Sequence, residues 1–222
     1  MNTWIIDWIT RKQQIALRLA NGECDGSYGE AVLILCSALN ALAATVWPGK
    51  EIDRKRFIEL LKNFTSSQSV CTLISVPLLV AYLRNKGEHN EEKQLKDRFL
   101  KFSDSLVLTG DVVDKTEKEI LSVCDTISQR YIRTFSYANL LYQEIRSGYV
   151  HEYGPGNKAD TWPMTSKSNV YVSYVNKLGE DRRIHFHIDW LLKISSETAQ
   201  IVSNLMLPLE IPKVWWIDGG QQ

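Results

Sequence analysis

Apolar residues recur every three or four positions along the chain as far as Gly148, with polar residues between them. This spacing is typical of amphipathic helices, which bury one stripe of side chains. It predicts helices over 4–19, 28–45, 53–64, 75–84, 88–102, 115–131 and 135–148. The helix over 28–45 is apolar nearly all round and rich in small residues, so we expect it in the middle of a helical bundle.

Several of these helices carry a recognisable start. Ser27 is followed by Glu30, which together form a capping box that satisfies two amides of the first turn. Asp53 is expected to cap the next helix. A further helix is expected to begin near Ser75. Pro77 then lies in its first turn, where proline is tolerated. These starts agree with the apolar spacing and support the helical prediction.

After Gly156 the pattern changes. Residues 169–176 include the run V-Y-V-S-Y-V, and 182–188 alternate between apolar and polar side chains, with turn residues between the two segments. Such segments are typical of strands, and together they predict a β-hairpin. A hairpin alone is only marginally stable in water, so we expect it to pack on the helical part.

A last helix is predicted over 189–205, and the tail beyond it contains Trp215 and Trp216. We therefore divide the chain into a helical bundle, 1–156, and a C-terminal part, 157–222, that packs on the same body. The expected fold class is mainly α, an up-and-down helical bundle with a C-terminal β-hairpin and a final helix.

The overall charge offers no electrostatic guide to a partner. The 222 residues include 26 basic and 26 acidic side chains, so the formal net charge is zero, and any RNA binding needs a local basic patch. The amino-terminal stretch has no basic segment, and no uninterrupted apolar run approaches the ~20 residues that span a bilayer. We expect a soluble, cytoplasmic protein without a membrane partner.

The sequence contains no pattern that predicts a metal or a cofactor. Its cysteines form no C-x-x-C pair, and no histidine is close enough to complete a zinc pattern. They are Cys24, Cys36, Cys71 and Cys124. The chain also lacks a phosphate-binding glycine loop, a G-x-S-x-G motif and a paired-carboxylate metal motif. These absences argue against nucleotide hydrolases, serine hydrolases and two-metal nucleases, but not against a metal-independent ribonuclease.

The stretch that begins at Arg146 suits phosphate chemistry. Arg146 stands five positions before His151, Tyr153 follows, and a Gly-Pro-Gly sequence then breaks the chain. In an unbroken helix Arg146 and His151 would lie about 140° apart around the axis. They can converge only if the helix frays near Gly148 or if a second copy of the chain contributes to the site.

The helical pattern together with Arg146-x4-His151-x-Tyr153 resembles the HEPN superfamily, whose members carry an Arg-x4-6-His motif and include many toxin and antiviral-defence ribonucleases. The resemblance covers the eight residues of the motif and a compatible helical pattern as far as Gly154. It implies a HEPN-like bundle and a homodimer that cleaves RNA, with two motifs across its interface. The His-x-Tyr extension is similar to that of HEPN toxins whose partner nucleotidyltransferase modifies the tyrosine, so a cognate antitoxin is an expected partner.

The chemistry of these residues is compatible with that expectation. His151 can act as base or acid, because the ordinary pKa of histidine, ~6.5, lies close to working pH. Arg146 stays charged and can clamp the phosphate in the transition state. Tyr153 could orient the phosphate or be the modified residue. One histidine cannot easily perform both proton transfers, which agrees with two motifs in one dimer.

Two alternatives remain at this point. The motif could belong to a non-catalytic HEPN-like module that binds a nucleotide or RNA, or that holds a dimer together. Family members often have Asn, Asp or His after the arginine, and Ser147 in this position favours that module. Alternatively, Arg146 could form a helix-end salt bridge with Glu144 or Glu152 while His151 caps a carbonyl group.

A basic cluster on the hairpin is a second candidate for RNA contact. Its members are Lys177, Arg182, Arg183, His185 and His187. They could follow a nucleic-acid backbone, and Tyr171 and Tyr174 nearby could stack bases. The two histidines lie on one side of a strand and could also ligate a metal, but the spacing fixes no third ligand, so we expect no metal there.

Overall fold

The computed structural model describes residues 2–66, 68–100, 105–161, 170–175 and 181–220, and these form a mainly helical fold with a small sheet. The helices are α1 (Thr3–Ala20), α2 (Tyr28–Val46), α3 (Asp53–Asn63), α4 (Gln68–Cys71), α5 (Val76–Lys86), α6 (His89–Phe99), α7 (Gly110–Val113), α8 (Glu117–Val123), α9 (Gln129–Arg133), α10 (Tyr137–Leu140), α11 (Gly148–Glu152) and α12 (Ile188–Ser203). A π-helical segment, Leu141–Ser147, joins α10 to α11, and 3-10 turns lie at Glu23–Asp25 and Trp216–Asp218. The strands are β1 (Val107–Thr109), β2 (Ala159–Asp160), β3 (Val172–Val175) and β4 (Arg183–Phe186).

Helix α2 lies at the centre of the helical part, as its composition predicts. It packs against α1, α3, α12 and the π-helical segment. Its predicted capping box is confirmed: the Glu30 amide donates to Ser27 Oγ (3.3 Å), and the Ser27 amide donates to Glu30 Oε2 (2.7 Å). By length and composition alone α2 could cross a membrane. Its burial among other helices accounts for that composition, and the fold is that of a soluble globular domain.

The sheet has the strand order β1-β3-β4-β2. β3 and β4 pair antiparallel, which confirms the predicted hairpin. β1 adds antiparallel to β3, and β2 adds parallel to β4. The sequence pattern did not predict these two outer strands. Buried side chains of β3, β4 and α12 belong to the same hydrophobic core as those of α2, so the hairpin packs on the helices as expected.

The extent of one predicted helix and the cap predicted for another are wrong. The helix expected over 115–131 is divided into α8 and α9, because the chain leaves the helix at Cys124 and a new helix begins after Ser128. Asp53 lies inside the first turn of α3 and does not cap it with a side-chain hydrogen bond. Its carboxylate pairs with Arg56 instead.

A buried polar network joins the sheet to the helices. The carboxylate of Asp114 accepts hydrogen bonds from the Val76 amide (3.0 Å), from the Tyr174 hydroxyl (2.6 Å) and from the Tyr137 hydroxyl. The Tyr174 hydroxyl also lies 2.8 Å from Ser75 Oγ. Since these residues come from β3, α10 and the start of α5, one carboxylate connects three separate parts of the fold.

The tail after α12 is held by a buried arginine. Arg133 forms a two-pronged ion pair with Glu117, at 2.7 and 3.1 Å. It also donates to the carbonyl oxygens of Trp216 and Gly220, and its guanidinium lies 5.0 Å from the Trp216 ring centroid. The Trp216 amide donates to Glu59 on α3 (3.0 Å). Arg133 and Glu59 therefore fasten the tail to the helical part.

Candidate functional site

The predicted motif lies on a helix that changes its winding. Ser136 Oγ accepts the Asn139 amide at the start of α10, and the helix then widens over the π-helical segment before it tightens into α11. π-Helical turns are rare and occur frequently at functional sites. The helix ends at Tyr153, whose left-handed φ of 57° is uncommon for a residue with a side chain.

His151 lies at a polar cleft of about 330 Å³. The cleft is lined by Gln143, Glu144, Ser147, Gly148, His151, Glu152, Gly156, Asn157 and Lys158. The imidazole is exposed to solvent at the end of α11, so a ligand in the cleft could reach it. This placement agrees with the expectation that His151 lies near a helix end rather than in the core.

Glu144 organises the far wall of the cleft. This largely buried side chain accepts the Lys158 amide (3.2 Å) and pairs with the Lys158 ammonium (3.5 Å). The Gly156 amide donates to the Glu144 carbonyl at 2.6 Å. These contacts hold the loop after the Gly-Pro-Gly sequence against the π-helical segment.

The floor of the cleft depends on Gly148. A Cβ at this position would lie 2.7 Å from the Gly156 amide nitrogen and 2.8 Å from the Gly154 carbonyl oxygen. Because both neighbours are backbone atoms, the loop must shift, and Gly148→Ala is expected to lower the free energy of unfolding by about 2 kcal/mol. Urea denaturation measures this change. Gly154→Ala is the matched control, since a Cβ there meets nothing within 4 Å; equal stability of the two variants would contradict the close approach.

Arg146 does not line this cleft. Its guanidinium lies over the Tyr142 ring, 5.3 Å from the centroid, on the side of the helix that packs towards α3. No carboxylate within the described residues lies at ion-pair distance from Arg146, and Glu144 pairs with Lys158. The salt bridge of Arg146 with Glu144 or Glu152, which was the alternative interpretation of the motif, therefore does not form in this part of the chain.

The residues around His151 leave apolar surface uncovered. Val150, inside α11, is 52% exposed, and Tyr153, directly after α11, is 93% exposed. The Tyr153 hydroxyl is open to solvent, where a partner or a modifying enzyme could reach it. Within one chain, the three residues of the motif do not form a single pocket, because Arg146 faces Tyr142 while His151 faces the cleft.

The basic cluster predicted on the hairpin is not one exposed surface. Lys177 lies outside the described residues. Arg182 and Arg183 are partly buried, and Arg182 donates to the Ser105 carbonyl oxygen at 2.6 Å. His185 and His187 are buried in the sheet, at 3% and 2% exposure, so the expected polar outer face is covered here.

The buried hairpin histidines contact other parts of the fold rather than solvent. His187 Nε2 lies 2.8 Å from Ser173 Oγ on the neighbouring strand, and burial lowers the pKa of His187. In the described part of the chain, no group of three His, Cys, Asp or Glu side chains could hold a metal ion. The thiols of Cys36 and Cys71 are core residues, and burial raises the pKa of each to about 12.

Comparison of the chain with family models, with curated proteins and with solved structures gives no match. The HEPN resemblance therefore rests on the motif and the helical pattern alone.

Proposed function

We propose that the chain is a HEPN-type, metal-independent endoribonuclease that acts as a homodimer in the cytoplasm, in a toxin or phage-defence role. The observation that carries this proposal is the exposed His151 at a polar cleft beside a widened helical turn. An imidazole that is open to solvent can exchange protons with a bound ribose and phosphate. A buried histidine could not do so without rearrangement.

The reaction assigns one task to each group. His151 takes the proton of the 2′-hydroxyl, which then attacks the adjacent phosphorus and forms a 2′,3′-cyclic phosphate. The bond from phosphorus to the 5′-oxygen breaks, and an acid supplies a proton to that leaving oxygen. Arg146 offsets the charge that develops on the phosphate. Tyr153 orients the phosphate or carries the modification that a cognate antitoxin would install.

In the proposed dimer, the second chain supplies the arginine and the second acid or base that one chain does not place beside its own His151. Arg146 and His151 face different sides of their helix, and the proton transfers need a second acid or base. The exposed Tyr153 and Val150 beside His151 form apolar surface that a second copy would cover. Two motifs facing each other would place an arginine and a histidine from different chains around one phosphate.

A non-catalytic HEPN-like module that binds a nucleotide or RNA is the second candidate. The contact of Arg146 with Tyr142, away from the cleft, favours it, because a clamp must reach the same phosphate as the base. Ser147 after the arginine favours it as well.

Cleavage of RNA in excess EDTA separates the two candidates. The unaltered chain, free of any antitoxin, is expected to cleave, and His151→Ala and Arg146→Ala are each expected to lower the rate at least about a hundredfold. Gel electrophoresis of a labelled RNA measures the rate, and a cyclic phosphate on the 5′ fragment identifies the chemistry. Sedimentation gives the oligomeric state of the same samples.

His89→Ala is the matched control, since His89 is exposed on α6 and, among the described residues, pairs with Glu92. Its rate should equal that of the unaltered chain. Equal cleavage by all four proteins would reveal a contaminating nuclease and would refute the catalytic assignment. Absence of cleavage by the unaltered chain would leave the non-catalytic module.

A further inference from the structure

Cations from the π-helical segment and from α3 act on Tyr142, and a third element, α9, brings a further cation close to Arg54. Arg146 lies over its ring, and the positive charges of Arg54 and Arg56 on α3 also act on its hydroxyl. Arg130 on α9 lies close enough to Arg54 for the two like charges to repel each other. The 3-10 turn Trp216–Asp218 packs against both α3 and α9, which explains how the two helices approach.

The carboxylates in this region are already paired. Asp53 pairs with Arg56, and Asp218 pairs with Lys55 at 2.6 Å. Within the described residues, no carboxylate lies at ion-pair distance from Arg54, Arg130 or Arg146. These three arginines and Tyr142 are hereafter the Tyr142 patch. The patch therefore brings together three guanidinium groups without an ion-pair partner among the described residues, in a protein whose formal net charge is zero.

Arg54 is held in place as a ligand-binding arginine would be. Its Nε donates to Asn139 Oδ1 (2.8 Å), and Asn139 in turn donates to the Thr134 carbonyl oxygen. Its two Nη nitrogens have no hydrogen-bond partner in the described part of the chain and remain free to bind. Burial lowers the pKa of Arg54; attraction to the Asp218 carboxylate opposes this shift, and repulsion from Arg130 adds to it. A bound anion would offset both the loss of solvation of Arg54 and its repulsion from Arg130.

We propose that the Tyr142 patch binds phosphate groups of an RNA strand, with Arg54 and Arg130 contacting backbone phosphates next to the phosphate that Arg146 holds. The inference rests on the proposed ribonuclease function for the identity of the strand. A single strand presents one negative charge per nucleotide. Such a row of charges matches three cations on different elements better than a ligand with only one carboxylate does. Guanidinium groups also match phosphate oxygens with two parallel hydrogen bonds.

The position of Arg146 connects the patch to the cleft. Arg146 and His151 belong to one continuous helix, with Arg146 on the patch side and His151 on the cleft side. A strand held by the patch therefore passes around this helix towards His151. Recognition through phosphates predicts an affinity that depends on salt and hardly at all on base sequence.

The experiment measures binding separately from cleavage. Each protein carries His151→Ala, so that the RNA stays intact, and a short labelled oligouridylate is titrated while its fluorescence anisotropy is recorded. Arg54→Gln and Arg130→Gln are each expected to weaken binding about tenfold. Each should also reduce the slope of log affinity against log salt concentration by about 0.7, since one phosphate contact is lost. Oligoadenylate should give the same changes.

Arg11→Gln is the matched control, because it removes one exposed arginine on α1 and should leave affinity and salt slope unchanged. Arg130 is exposed, so Arg130→Gln tests the patch even if Arg54→Gln fails to fold. Unchanged binding by Arg130→Gln and by a folded Arg54→Gln, or no binding by the His151→Ala protein, would overturn the patch. Loss of cleavage in the unaltered chain, with patch-dependent binding retained, would overturn only the ribonuclease.

Discussion

Replacement of Asp114 by alanine is expected to lower the free energy of unfolding by about 4 kcal/mol. The substitution leaves the Val76 amide and the Tyr137 hydroxyl buried without an acceptor, and it opens a cavity between β3 and α10. The Tyr174 hydroxyl loses less, because Ser75 Oγ still accepts from it. Urea denaturation followed by circular dichroism measures the difference.

Stability should also depend on pH through this residue. Burial raises the pKa of Asp114 to about 7, although hydrogen bonds from Tyr137 and Tyr174 oppose that rise. The folded chain therefore keeps a proton that the unfolded chain releases near pH 4, and Asp114 makes the free energy of unfolding fall as pH rises from about 4 to about 7. The slope from this one group approaches about 1.4 kcal/mol per pH unit.

Asp114→Asn is the control that separates charge from shape. The amide keeps the volume and can still accept from the Val76 amide, while its NH2 group can donate to the two tyrosine hydroxyls. It should cost much less than alanine and should remove the Asp114 contribution to the pH slope. A pH slope identical to that of the unaltered chain would show that Asp114 does not titrate in this range.

Replacement of Arg133 by alanine is expected to lower the free energy of unfolding by about 3 kcal/mol. It leaves the largely buried Glu117 without its cation and removes the donor to the Trp216 and Gly220 carbonyl groups. The loss should be greatest in the tail, so amide exchange of the turn Trp216–Asp218 should accelerate. Urea denaturation and hydrogen exchange detect the two effects.

Arg133→Lys tests the geometry of this contact. A lysine keeps the charge but lacks the planar fork, in which two nitrogens of Arg133 bond to Glu117 and the third bonds to both carbonyl groups, so an intermediate loss is expected. Arg98→Ala, which removes an exposed arginine from α6, should change stability by less than about 0.5 kcal/mol. Slow exchange in the tail of Arg133→Ala would show that the aromatic packing of Trp215 and Trp216 suffices.

Elements with local signals could be predicted from the sequence. α2 begins at the residue that its capping box indicates, and α5 begins after Ser75 with Pro77 in its first turn. The hairpin was predicted because alternation and turn residues lie within one short stretch. In each case the determining interactions join neighbours in the chain, which a single sequence records.

Elements fixed by distant contacts could not be predicted. β1 and β2 are three and two residues long, too short for a period to be recognised, and they exist because β3 and β4 offer free edges. The division of α8 from α9 did have a local signal, since Ser128, a residue type common at helix starts, directly precedes α9. The long apolar spacing outweighed that signal.

The site was predicted in part. His151 could be singled out because histidine chemistry and the Gly-Pro-Gly sequence are local features. The expected exposure of His185 and His187 depended on which sheet face is covered, and alternation alone does not reveal that both faces are buried. The Tyr142 patch joins residues from α3, α9 and the motif helix, so only the folded chain brings them together.

The central position of α2 also constrains the order in which the helices can pack during synthesis. α2 is covered on one side by α1, which precedes it, and on another by α12, which begins at Ile188. On the ribosome, the most apolar helix of the chain is therefore complete long before its last covering helix has been synthesised. During that interval one apolar face of α2 is exposed, so we expect the helical part to complete its core only after the C-terminal helix has been synthesised.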